Sequence, residues 1–149
     1  MGQRTEVGAR GFTLLELVVT LFVIALAVGL VGPAIGRSME TVRARADVAG
    51  FSAFFRHARE QAIARREALR VVVEPAAHRL TLVAGESDTL RARALPERLA
   101  IEPASPAALT VRFAPEGTST GGEYRLASGG TRYRVTVDPV TGRVRSVRE

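Results

Sequence analysis

From Phe12 to Val31 the chain runs for 20 residues with one charge among them, Glu16. As a helix rising about 1.5 Å per residue, such a run spans roughly 30 Å, the thickness of a bilayer's hydrocarbon core. A carboxylate at the centre of a membrane helix costs roughly 2.5–3.5 kcal/mol on insertion scales, so Glu16 is expected to have a function. Ala27 and Gly29 imitate the small-residue cleavage site of a secretory signal, but such a signal has a shorter apolar stretch and no internal Glu. The run therefore reads as a retained anchor. Basic residues do not orient it, because Arg4 and Arg10 precede it while Arg37, Arg43 and Arg45 follow.

The rest of the chain is short. Of 149 residues, roughly 115 remain once the leader and the apolar run are removed, enough for one modest core. There is no Cys, which excludes disulfides and thiolate metal sites, and the only two His are His57 and His78. All 21 basic residues are Arg, consistent with the codon usage of a GC-rich genome, and the net charge is +6. A charge of that sign permits attraction to nucleic acid or anionic lipid.

Pro33, with Gly29, Gly32 and Gly36 around it, is expected to kink or loosen the helix just past the apolar run. From Ala34 to about Glu67 the pattern is amphipathic and helical. Ile35, Met39, Val42, Ala46, Ala49 and Ala53 make a thin stripe suited to packing against neighbouring subunits. Phe51, Phe54, Phe55, Ala58 and Ala62 make a broader one suited to docking on a globular domain. Beyond it the chain reads as strands: Leu69–Glu74, Arg79–Val83, Arg98–Glu102, Leu109–Phe113, Glu123–Ala127, Thr131–Val137 and Arg143–Val147. Pro75–His78 and Gly129–Gly130 are hairpin turns, and Leu82–Ala94 and Pro115–Gly122 are expected loops. The fold class is α+β, a long N-terminal helix on an antiparallel β-rich domain. Its parts are a leader at 1–11, a transmembrane segment at 12–33, an amphipathic helix at 34–67 and a globular domain at 68–149.

The polar leader MGQRTEVGAR, then Gly11, then FTLLELVV with Glu16 one turn on, resembles the signal of type IV pilins and type II secretion pseudopilins. The resemblance implies a leader held in the cytoplasm, cleavage by a prepilin peptidase between Gly11 and Phe12, and N-methylation of Phe12. It gives Glu16 the role of neutralising a terminal amine, a neighbour's or its own. In lipid, pairing offsets much of the penalty each charge bears alone, and pairing with a neighbour sets axial register.

Three further segments narrow the match. FRHAREQAIARREALRVVV (Phe55 to Val73), FAPEGTSTGGEYRL (Phe113 to Leu126) and VDPVTGRVR (Val137 to Arg145) resemble the GspH–FimT branch of minor pseudopilins and minor pilins. The resemblance implies a structural subunit of the periplasmic pseudopilus of a type II secretion system. Such a subunit is single-pass in the bacterial inner membrane, with its C-terminal domain in the periplasm, other pseudopilins or pilins as partners, and no cofactor. The alternative is a FimT-like minor pilin that captures DNA for uptake through Arg132, Arg134, Arg143 and Arg145. With only Tyr124 and Tyr133 near these arginines, base stacking has little support.

No catalytic constellation emerges, so the chain is not read as an enzyme. There is no Cys nucleophile, and His57 and His78 fall on an Arg-rich helix surface and in a turn. Ser105, Ser119 and Ser128 lie in loops with no histidine placed beside them. Gly117–Gly122 lacks the Lys and the strand–helix setting of a phosphate loop. Asp47, Asp88 and Asp138 are isolated, so no metal site is expected.

Overall fold

The computed structural model describes the backbone of residues 12–149, with side chains apart from those of 30–38 and 106–107. The expected leader and Gly11 lie outside the described residues, as do the side chains of Pro33 and Ile35. The chain divides into two compact units, one ending at Met39 and the other running from Glu40 to Glu149. Helix α1, Leu14–Arg65, contributes to both. In the first unit the described side chains from Phe12 to Gly29 are all exposed. Among the described residues no helix is long and apolar enough to cross a membrane. The 20-residue run ends in Leu30 and Val31, whose side chains are not described.

The second unit begins with the docking half of α1. Ala44, Val48, Phe51, Phe54, Phe55, Ala58 and Ala62 are buried, recurring at three- and four-residue steps along one face. The five residues expected to dock are all among them. The thin stripe behaves differently: Met39, Val42, Ala46, Ala49 and Ala53 are exposed, on a face the domain does not cover. The helix closes with Arg66 in a left-handed conformation (φ 55°), while Glu67 N–H donates to Ala62 O at 3.2 Å and Arg66 N–H to Ile63 O at 3.3 Å. That pair of bonds satisfies two of the four terminal carbonyls, with an arginine where glycine is usual.

Eight strands follow. β1 (Leu69–Glu74), β2 (Arg79–Ala84), β3 (Asp88–Ala94) and β5 (Thr110–Phe113) form one antiparallel sheet in the order β3-β2-β1-β5. β4 (Ala100–Pro103), β6 (Gly122–Ser128), β7 (Thr131–Val137) and β8 (Val144–Arg148) form the other, in the order β4-β6-β7-β8. The inner faces of both sheets and the buried face of α1 share one hydrophobic core. At its centre Phe51 and Phe55 lie 5.1 Å apart, with Tyr124 from β6 at 5.1 and 5.4 Å from them. The Tyr124 hydroxyl donates to Ala108 O at 2.6 Å, and burial pushes its pKa up.

Strand β3 corrects the expected loop at Leu82–Ala94. It is an edge strand whose side chains are exposed apart from half-buried Leu90, so its pairing with β2 leaves no buried face to read in the sequence. The Gly129–Gly130 turn has φ of 55° and 74° and closes the Ser128–Thr131 pair, the two-residue hairpin expected there.

Candidate functional site

The N-terminal motif starts α1. Thr13 stands just before the helix and its Oγ1 accepts a hydrogen bond from Glu16 N–H at 3.2 Å, while Leu17 N–H reaches Thr13 O at 3.1 Å. Thr13-x-x-Glu16 thus takes the positions of a capping box, with the carboxylate at the third helical residue, where the helix dipole favours an anion. One turn on, Thr20 Oγ1 donates to Glu16 O at 2.7 Å. Phe12 is 82% exposed, and Leu14 to Val28 carry a continuous set of exposed large apolar side chains. A patch of that extent is larger than the exposed apolar surface of an ordinary soluble domain. Glu16 is therefore an exposed carboxylate in an apolar field, close to the residue expected to bear a free amine.

The two C-terminal motifs meet at one point on α1. Arg59 Nε donates both to Gly117 O, from F-A-P-E-G, and to Thr141 O, from T-G-R, each at 3.0 Å. Gly142 sits against them with φ 63°, and a Cβ there would collide with the Gly117 carbonyl oxygen. Asp138 Oδ1 accepts from Thr141 N–H at 2.7 Å and from Thr141 Oγ1–H at 2.8 Å, fixing the turn. These bonds, the backbone one first, hold the Asp138 carboxyl below the usual carboxylate range. Ser119 joins the same turn, its N–H donating to Pro139 O and its hydroxyl to Asp138 O, both at 2.9 Å. The motif residues are thus a clasp that locks two loops to the helix.

A second clasp lies nearer the start of the domain. Asp47 Oδ1 and Oδ2 each lie 2.8 Å from the Arg98 guanidinium, and Ser128 Oγ donates to Asp47 Oδ2 at 3.2 Å. Asp47 carries no signal in the sequence, its Arg98 partner being 51 residues away, and Arg59, though it lies in the Phe55–Val73 segment that carries the family resemblance, gives no sign there of a partner 82 residues on. Thr13 does carry one, in its spacing from Glu16.

The four candidate DNA-binding arginines do not form one free cluster. Arg132 and Arg134 project from the outer face of β7, and Arg134 is committed: it pairs with Glu149 at 2.6 Å and Glu123 at 3.6 Å. Glu102, Arg125, Arg132, Arg134 and Glu149 line one shallow hollow there, so the face alternates in sign. Arg143 precedes β8 rather than lying on it, because Gly142 has left the strand conformation to complete the clasp. Arg143 and Arg145 nonetheless share a cleft with Arg56 and Arg59 of α1. Among the described residues no three His, Cys, Asp or Glu gather to hold a metal ion.

A motif-capped helix with two four-stranded antiparallel sheets is a build that recurs among solved structures. The P. aeruginosa type IV minor pilin FimU has this fold (TM-score 0.59, 16% identity, 71% of this chain and 89% of that one), as does the V. cholerae type 2 secretion minor pseudopilin EpsH (TM-score 0.55, 18% identity, 73% and 96%). Residues 8–32 match the prokaryotic N-terminal methylation motif, and residues 47–142 match the family Type II transport protein GspH. Type II secretion system protein H of Xanthomonas campestris pv. campestris is 32% identical over 154 aligned residues, covering 92% of this chain and 82% of that protein. The chain belongs to the GspH family, the H-type minor pseudopilins of type II secretion.

Proposed function

We propose that this chain is cleaved between Gly11 and Phe12 by a prepilin peptidase, methylated on Phe12, and built into a periplasmic pseudopilus from the bacterial inner membrane. The observation that carries this reading is the presence, in one chain, of the methylation motif at residues 8–32 and the GspH domain at 47–142. In it the segment 12–33 is the membrane anchor and the domain stands in the periplasm. The protein does no chemistry; it is a part of the filament that drives export. Glu16 pairs with the terminal amine of a neighbouring subunit, an arrangement favoured by its position three residues into a helix whose start is apolar and exposed.

The test is removal of the gene from its native host. Loss of exported proteins from the medium, with DNA uptake unchanged, is the expected result. Normal export with lost DNA uptake would instead assign the chain to a DNA-capturing pilus. Mass spectrometry of the membrane-bound protein should give a mature chain starting at methylated Phe12; a start beyond Ala27 would mean a secretory signal.

A further inference from the structure

Arg143 and Arg145 form a ridge between two surface clefts. On one side they meet Arg56, Arg59 and Glu60 of α1 around a hollow of about 260 Å³. On the other they line a shallower cleft with Thr136, Asp138 and Gly121. The side chains of Arg56, Arg143 and Arg145 are exposed; Arg145 acts on the nearby Asp138 carboxylate through its charge, whereas Arg134 on the neighbouring face is bound directly to two glutamates.

The ridge is held in place before any partner arrives. Asp138 caps its turn, Arg59 fixes the Thr141 carbonyl, and Gly142 is wedged against the Gly117 carbonyl. The backbone that carries these cations is fixed beforehand, so binding has only their side chains left to order. At the tip of the turn Val140 is 75% exposed, an apolar knob beside the cations. An apolar contact flanked by arginine is the common anatomy of a protein interface.

We propose that this ridge is a docking site for an acidic segment of another subunit of the same filament, with a carboxylate seated between Arg56 and the Arg143–Arg145 pair. The proposal rests on the pseudopilus reading above. Guanidinium groups bind carboxylates through paired N–H donors, and one such side chain suits a hollow of about 260 Å³. A nucleic-acid strand fits less well. Tyr124 and Tyr133 are both buried, so neither offers a base a surface to stack on.

The chain has no cysteine, so one introduced thiol can carry a photo-crosslinker in the full-length protein in host membranes. Val140→Cys probes the ridge. Met39→Cys, on the exposed stripe of α1, independently reports whether the chain contacts filament subunits at all. The expected result is capture at Val140 of an Asp- or Glu-rich peptide from a subunit bearing a methylated pilin-type N-terminus. This capture should fall roughly tenfold when Arg143→Glu and Arg145→Glu are combined and return only in part with Arg143→Lys and Arg145→Lys, which restore the charge but not the paired donors, while capture at Met39 is unchanged. Capture at Val140 that is indifferent to charge reversal would overturn the proposal, as would its absence while Met39 still captures a subunit. Binding of the full-length chain to double-stranded DNA that the same reversal abolishes, with Val140 capture untouched, would assign the ridge to nucleic acid instead. No filament subunit captured at Met39 would sink the pseudopilus reading itself.

Discussion

Arg59 Nε and the carbonyl oxygen of Thr141 lie 3.0 Å apart although 82 residues separate them in the chain. The same N–H reaches Gly117 O at 3.0 Å, so one guanidinium on the helix gathers both C-terminal motifs. The T-G-R sequence therefore has a folding role that needs no ligand.

Removing that donor tests the clasp. Arg59→Met keeps the aliphatic stem and deletes the hydrogen bonds, so it should destabilise the domain by about 1.5–3 kcal/mol, the range for bonds to a charged group. Gly142→Ala should be worse than an ordinary glycine replacement, because its Cβ meets the Gly117 carbonyl and its φ of 63° disfavours any side chain. Urea melts followed by circular dichroism measure both. A Gly142→Ala domain as stable as the parent would remove the clasp from the account.

In the core, Phe54→Ala should cost roughly 3–5 kcal/mol, as for a fully enclosed ring. Tyr124→Phe should cost about 1–3 kcal/mol by leaving the Ala108 carbonyl without its donor, while keeping the ring against Phe51 and Phe55. Thermal unfolding of the two variants should rank them in that order.

Acid should loosen the T-G-R turn. The folded Asp138 carboxyl titrates below its unfolded value, so its contribution is present above the unfolded pKa and lost as pH falls through the folded one. The window lies below about pH 4. The protection of the Thr141 amide, its exchange rate taken relative to the intrinsic rate at each pH, should fall there in the parent. In Asp138→Asn this acid-dependent step should be missing.

Glu16→Ala should leave cleavage and membrane insertion intact while cross-linking to filament partners and export fall, since the neighbour's amine is left unpaired. Thr13→Val keeps the carboxylate and removes only the acceptor for Glu16 N–H, costing about 1 kcal/mol at the helix start. It should therefore assemble better than Glu16→Ala. Normal cross-linking in Glu16→Ala would reduce the residue to a recognition mark for the peptidase.

Much of the fold is legible because its signals are local. Phe51, Phe54, Phe55, Ala58 and Ala62 recur at helical spacing, and Tyr133, Val135 and Val137 alternate with Arg132, Arg134 and Thr136. The adjacent glycines 129 and 130 supply the two positive φ values their hairpin needs. Where burial does not follow a period, the sequence misleads. β3 is held by hydrogen bonds along an edge with no buried face, so it reads as part of a loop. The site divides in the same way. Thr13 and Glu16 are readable from a three-residue spacing, but the pairing of Arg134 with Glu149 and the meeting of Arg56 with Arg143 exist only once the sheet has closed.

The Asp47 clasp also fixes where this protein can be cut. Among the described residues no core member precedes Ala44, yet Asp47 reaches both Arg98 and Ser128, and the Glu40 side chain lies 3.6 Å from where a Cβ on Gly129 would stand. A water-soluble fragment made by discarding everything before Glu40 should retain its whole interior. One trimmed eight residues further, past Asp47, would lose the anchor of two loops and expose Phe51, so its failure would reveal nothing about the filament.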